Sequence, residues 1–268
     1  MLRISGVGLS HVGLVRSGNE DSGFVGPTCM LVADGVGGAA AGEVASATTA
    51  YIVSAMAMAH RADDPVLTLR EAISLAQEQV ASGVRRDPAR AGMATTLTAL
   101  LTDGSTFALA HVGDSRGYVF RDGDLVQVTR DHTFVQRLVD EGSLPPEEVR
   151  EHPWRNVVLR SINGNPEETG DVGPISLAPG DRVLLVSDGV SDLVDPVRLE
   201  AILARNPDDE AAQLIVDEAL AFGGRDNITC LLASIVEGGA AAADGMLLGA
   251  VRDPYNVVDA AAVSGRTA

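Results

Sequence analysis

The chain of 268 residues contains no lysine: all 20 of its basic residues are arginine. That absence excludes phosphate-loop ATPases, kinases, Schiff-base aldolases and pyridoxal enzymes, each of which needs an amine that a guanidinium does not replace. Basic charge is also short in total, since 37 acidic residues leave a net charge of −17. A nucleic-acid partner is excluded on that ground, because phosphate backbones are neutralised by clustered Lys and Arg. Binding to an anionic membrane surface is disfavoured for the same reason. Aromatic residues make up only 3%, so a core must be aliphatic and alanine-rich. The two cysteines, Cys29 and Cys230, each sit in an apolar run and are expected to be buried structural thiols. Long apolar runs are missing too: residues 45–59 are interrupted by Ser, Thr and Tyr and are too short for a bilayer. The first ten residues lack the basic and then apolar pattern of a secretory leader. These absences predict a soluble cytoplasmic protein, and a monomer is expected.

What the chain does have is 46% apolar residues, enough to bury one large core. Alternation over residues 3–12 and a short apolar run over 29–33 predict strands. Residues 42–60 and 65–86 read as helices, the second with proline in its first turn. Strands are then expected at 93–101, 106–112, 117–120 and 125–128 as a four-stranded antiparallel run, the last two joined by a tight turn at Asp122-Gly123. Residues 132–165 form an irregular excursion with a Pro-Pro break. A strand at 182–187, a helix at 208–222 and a strand at 227–236 complete a domain spanning residues 1–237. This order predicts an α+β fold with a sheet-on-sheet core flanked by helices. Residues 238–268, rich in Ala and Gly, are expected to be a flexible tail with a short docking element at 246–251.

Four aspartates share a local grammar in which a strand approaches or leaves an acid at a small-residue turn. They are Leu31-Val32-Ala33-Asp34-Gly35, Leu184-Leu185-Val186-Ser187-Asp188-Gly189, Gly224-Arg225-Asp226-Asn227 and Val112-Gly113-Asp114-Ser115. Asn19-Glu20-Asp21 adds two more acids. Any one Asp-Gly pair is most simply a turn, and Asp122-Gly123 is the internal control. Asp34 and Asp188 differ from it because each closes a strongly apolar strand, which places charge at the end of a buried element. Six such acids on one rim could not stand bare, since two like charges about 5 Å apart cost roughly 3 kcal/mol at an effective dielectric near 20. Oxygen-only ligands would call for Mg²⁺ or Mn²⁺ rather than zinc.

Two other patterns carry less. Residues 35–40 fit a loose G-x-G-x-x-A dinucleotide fingerprint, but Asp34 would press against the pyrophosphate. Gly113-Asp114-Ser115-Arg116-Gly117 fits G-x-S-x-G, yet a strand follows where a hydrolase needs a helix.

The ordered set Gly13-Leu14-Val15-Arg16-Ser17-Gly18-Asn19-Glu20-Asp21-Ser22, Val32-Ala33-Asp34-Gly35-Val36-Gly37-Gly38, Gly92-Met93-Ala94-Thr95-Thr96, Val112-Gly113-Asp114-Ser115-Arg116, Ser187-Asp188-Gly189 and Gly224-Arg225-Asp226-Asn227 resembles the metal-dependent serine/threonine protein phosphatases of the PPM or PP2C family in their compact bacterial form. The resemblance covers about residues 5–236. It implies a four-layer αββα fold, with a central antiparallel β-sandwich between helix pairs and an irregular flap at about 133–169. It further implies Mn²⁺ or Mg²⁺ as cofactor, two ions with a third, weaker one, and phosphorylated proteins as substrates opposite a Ser/Thr protein kinase.

By the same resemblance Asp34 bridges two metals, with the Gly35 carbonyl on one and Asp188 and Asp226 on the other. Glu20 and Asp21 act through metal-held waters, and Asp114 serves the third ion together with Asp188. Arg16 grips the phosphoryl group; without the resemblance it would be a surface arginine paired with Glu20. The implied chemistry is attack on phosphorus by a hydroxide held between the metals. Val36 stands where animal members place a proton-donating histidine, and valine cannot donate. His111 and His132 are expected to be structural. A second reading is a phosphatase-like regulatory binding module of weak turnover, against which the intact acid set counts.

Overall fold

Strands whose side chains are buried on both faces read as unbroken apolar runs, and they lie here at the centre of a layered molecule. The computed structural model describes residues 1–36, 41–239 and 244–263. In chain order the strands are β1 (Leu2–His11), β2 (Ser22–Val25), β3 (Cys29–Ala33), β4 (Gly35–Val36), β5 (Ala94–Thr95), β6 (Leu97–Thr102), β7 (Phe107–Val112), β8 (Arg116–Arg121), β9 (Asp124–Gln127), β10 (Asp171–Ile175), β11 (Arg182–Val186), β12 (Ile228–Glu237) and β13 (Met246–Gly249). The helices are α1 (Gly42–Ala59), α2 (Pro65–Arg86), α3 (Phe134–Asp140), α4 (Asp188–Ser191), α5 (Pro196–Leu203) and α6 (Asp208–Ala221).

Two antiparallel sheets form, in the orders β1-β12-β11-β8-β9 and β10-β7-β6-β3-β2-β13. Period-two alternation sends each central strand's side chains into two different cores. Met30 and Val32 meet Leu185, Leu231 and Ile235 between the sheets. Cys29 and Leu31 face the other way, onto Met56, Leu69 and Ile73 of α1 and α2. On the far sheet Leu184, Cys230 and Leu232 pack beneath Leu199, Ile202 and Ile215 of α5 and α6. The result is the αββα arrangement. The two thiols are free and buried in opposite outer layers, and burial pushes both up to about 12.

Local signals account for much of this. Asp64 caps α2 by accepting from the Val66 and Leu67 N–H groups, with Pro65 at the first position. Asp122 and Gly123 both have positive φ (54° and 100°), as the two-residue hairpin between β8 and β9 requires.

Three expectations need correction. The run at 93–128 is not one four-stranded sheet: β6 and β7 lie in one sheet and β8 and β9 in the other, because the chain crosses at the Gly113–Ser115 turn. Beyond residue 238 the docking element expected at 246–251 is β13 and the turn after it, but the packing runs on to residue 263 where the sequence predicts a loose tail. β13 pairs with β2, and Ala250, Val251 and Val263 are buried against the α1–α2 layer, since its scattered Leu and Val residues find apolar surface to cover. The last five residues, 264–268, and residues 240–243 of the expected tail lie outside the described residues. Finally, β2, β10 and α5 went unread; α5 carried a legible signal, an Asp195 cap followed by Pro196.

Candidate metal centre

At one end of the sandwich, strand termini deliver acids to a common rim. Asp34 follows β3, Asp114 follows β7, Asp188 follows β11, and Asp21 and Asp226 precede β2 and β12. Neighbouring groups hold Asp34 and Asp21 in place. The Asp34 N–H donates to Thr96 Oγ1 (2.9 Å), while Thr95 Oγ1 and the Thr96 N–H both donate to the Asp34 carbonyl (2.9 Å each). Thr95 and Thr96 are the reason the predicted strand at 93–101 breaks into β5 and β6. Asp21 Oδ2 accepts from Ser187 Oγ (2.8 Å) and Thr229 Oγ1 (2.7 Å). Asn227 accepts from the Glu20 N–H (2.7 Å) and donates to the carbonyls of Val12 and Gly18 (2.9 Å each), fixing both ends of the loop that carries Arg16.

Close approach requires glycine at two of these positions. A Cβ on Gly35 would lie 2.6 Å from the Glu20 carbonyl oxygen, and one on Gly189 would lie 2.0 Å from that of Asn227.

The charges act on one another. Burial, then the like charges of Asp188, Asp21, Asp114 and Asp226, push Asp34 well above the usual carboxylate range. Asp188 is raised by burial and then by Asp114, Asp192, Asp226 and Asp21. Burial pushes Asp21 up to about 6 although the Thr229 and Ser187 hydroxyls pull it down. Asp114 reaches about 7 through burial, Asp131 and Asp192. Burial and Glu43 raise Glu20. Arg16 reaches the same rim: its Nη2 donates to Asp226 Oδ2 at 2.6 Å. The surface-pair alternative with Glu20 is thus replaced by a pair with Asp226, and half of the Arg16 side chain stays open to solvent.

The residues fit a divalent cation. Asp21 is fully buried; hydroxyls hold its Oδ2, and its other oxygen stands against the Asp34 carboxyl, a crowding of buried acids that a shared proton or a cation relieves. The donors gathered here are oxygens. Among the described residues no three acids close on one point as a ready-made chelate.

A pH dependence follows. Because the folded pKa values of Asp21 and Asp114 lie above their unfolded values, the metal-free chain gains stability as pH falls through 7 towards 6 and loses it as pH rises. Cation binding needs the ionised forms and has the opposite sign. Calorimetric Mn²⁺ titrations at pH 8 and pH 6 should therefore show weaker binding at pH 6, while the metal-free melting temperature is higher there.

Geometry sets aside Ser115 and the two histidines. Ser115 is fully buried, bonded to Thr96 Oγ1 at 2.7 Å and followed by β8, so it is no exposed nucleophile. In the G-x-G-x-x-A pattern, residues 37–40 lie outside the described residues. His111 is buried against Thr98 (2.9 Å) and stacked on His132 at 4.8 Å between ring centres; burial, then His132, pushes it down to about 3, so it stays neutral. His132 bonds Asp171 (3.0 Å) at the base of the 133–169 excursion. Val36 is partly exposed and offers no proton. Sequence reasoning missed Ser187, Thr229 and Asn227 as supports; a hydroxyl inside the otherwise apolar β12 was the available signal.

The family description that matches residues 19–214 is protein phosphatase 2C, and the chain belongs to that family. The serine/threonine protein phosphatase PstP of Mycobacterium tuberculosis is 44% identical over 234 residues, covering 85% of this chain and 44% of that protein. This chain thus spans less than half of PstP's length. The serine/threonine phosphatase Stp of Listeria welshimeri is 33% identical over 233 residues, 82% of this chain and 91% of its own. A crystal structure of the PstP catalytic domain in complex with two manganese ions superposes with a TM-score of 0.80 at 39% identity, covering 88% of this chain and all of that one.

Proposed function

We propose that the chain hydrolyses phosphoserine and phosphothreonine esters in proteins, with Mn²⁺ or Mg²⁺ as cofactor. The observation that carries this is the convergence of Asp34, Asp188, Asp226 and Asp21 on one rim with Arg16 beside them, in a family where PstP's catalytic domain holds two manganese ions. Asp34 would bridge two ions, the Gly35 carbonyl serving one and Asp188 and Asp226 the other, with Glu20 and Asp21 acting through water. Asp114, whose charge acts on Asp188, would serve a third, weaker ion. Divalent ions bound there supply charge for the phosphoryl oxygens and an acidified water for attack on phosphorus.

The chain's own residues do the positioning. Arg16 presents a planar fork to two phosphoryl oxygens. The hydroxyls of Ser187 and Thr229 fix one oxygen of Asp21 and leave the other facing the rim. With valine at position 36, the leaving alkoxide takes its proton from water.

The same reading makes the protein a monomeric cytoplasmic partner of a Ser/Thr kinase in signalling; no described helix is long and apolar enough to cross a membrane. With the acid set intact, nothing favours a binding module without turnover. Phosphate release from matched phosphoserine, phosphothreonine and phosphotyrosine peptides with Mn²⁺ tests the substrate class. The first two should be hydrolysed faster, and a preference for phosphotyrosine would contradict it.

A further inference from the structure

The segment after residue 244 reaches the metal centre from outside the family match, which ends at residue 214. β13 covers the free edge of β2, with Gly249 opposite Ser22. Immediately beyond the strand, the Ala250 N–H donates to the Asp21 carbonyl at 2.7 Å, and the Val251 N–H donates to Ser22 Oγ at 3.1 Å. Ser22 Oγ in turn meets Ser46 Oγ at 3.0 Å, and Ser46 Oγ donates to the Glu20 carbonyl. The backbone of both rim acids, Glu20 and Asp21, is therefore held by groups that lead back to residues 250 and 251.

The contact is built into distant parts of the chain. Gly249 has φ 68° and ψ −144°, a conformation that favours glycine, and a Cβ there would lie 2.1 Å from the Asp21 carbonyl oxygen. Gly8 on β1 makes room for Leu248, whose Cδ1 would be 2.4 Å from a Cβ at that position; Gly83 on α2 does the same for Val258, at 2.8 Å. Thr48, buried in α1, accepts from the Val258 N–H at 3.1 Å.

We infer that residues 246–251 are a strap whose Gly249–Val251 turn positions Asp21, and through it the divalent-cation site, so that Ala250 and Gly249 are positioning residues for metal binding. The inference rests on the metal-centre reading above. Outer partners that orient metal ligands are worth about 10- to 100-fold in metal affinity, and a support of Asp21, which acts through water, belongs at the lower end of that range.

The test is Mn²⁺ calorimetry on the full chain, with the metal-free melting temperature as a second readout. Ala250→Pro deletes the one N–H at the first position of a 3₁₀ turn, where proline's φ is tolerated. It should weaken Mn²⁺ binding about tenfold or more with only a small change in melting temperature. Val258→Ser loosens the packing beyond the strap, against α1 and α2; it should lower the melting temperature and leave Mn²⁺ affinity as in the parent. Should Ala250→Pro fail to fold, Gly249→Ala should likewise weaken Mn²⁺ binding, here with a lower melting temperature, because its Cβ is forced against the Asp21 carbonyl. A folded Ala250→Pro or Gly249→Ala chain that binds Mn²⁺ like the parent overturns the strap's role, as does an equal loss of affinity in Val258→Ser. A parent chain that binds no Mn²⁺ overturns the metal-centre reading itself.

Discussion

Asp34→Asn should abolish Mn²⁺-dependent hydrolysis, lowering kcat for an aryl phosphate by about a thousandfold or more. Metal stabilisation of transition-state charge is worth several kcal/mol, and each 1.36 kcal/mol is a factor of ten. Asp188, Asp21, Asp114 and Asp226 all act on Asp34, and the proposed function places it between two ions. The same substitution removes one charge from a crowded group, and the metal-free chain should become more stable. A loss of activity combined with a raised metal-free melting temperature is the signature of a functional acid. A structural one would lose both; here Thr95 and Thr96 hold the Asp34 backbone without its carboxylate, so the fold should survive the substitution.

The second large effect concerns Arg16. Charge-assisted hydrogen bonds contribute about 1.5–3 kcal/mol, so Arg16→Ala should lower kcat/KM by about 10- to 100-fold. Arg16→Lys keeps the charge and loses the fork, and should recover only part of that. Metal binding separates this role from a purely electrostatic one. Arg16 is bonded to Asp226, and removing a cation from a metal site leaves Mn²⁺ affinity equal or tighter. Weakened Mn²⁺ binding in Arg16→Ala would mean that the side chain supports the site instead of gripping substrate.

The sequence made the centre of the molecule legible because burial on both faces leaves a plain mark. β3, β11 and β12 are mostly apolar, and rim acids stand just after β3 and β11 and shortly before β12. α2 could be read to its ends from Asp64, Pro65 and its apolar spacing. What could not be read is pairing at long range. Nothing local says that β7 and β8, adjacent in sequence, belong to different sheets. The strap misled by composition, since its alanines and glycines hide the few residues that matter. Leu248 and Val258 gain their sites from Gly8 and Gly83, far away in the chain. The Arg116–Asp131 pair was hidden in the same way: Arg116 belonged to a quoted motif, yet its bidentate partner lies 15 residues on, almost fully buried. At the rim the acids announced themselves, whereas Ser187, Thr229 and Asn227 did not, because a supporting hydroxyl or amide takes its meaning from the group it holds.

The most direct test of the account is a Mn²⁺ titration of chain stripped with a chelator, following hydrolysis of an aryl phosphate. The account predicts no turnover without metal, saturable activation as Mn²⁺ is added, and loss of activity when the chelator is restored. Comparable turnover in the stripped chain would contradict it.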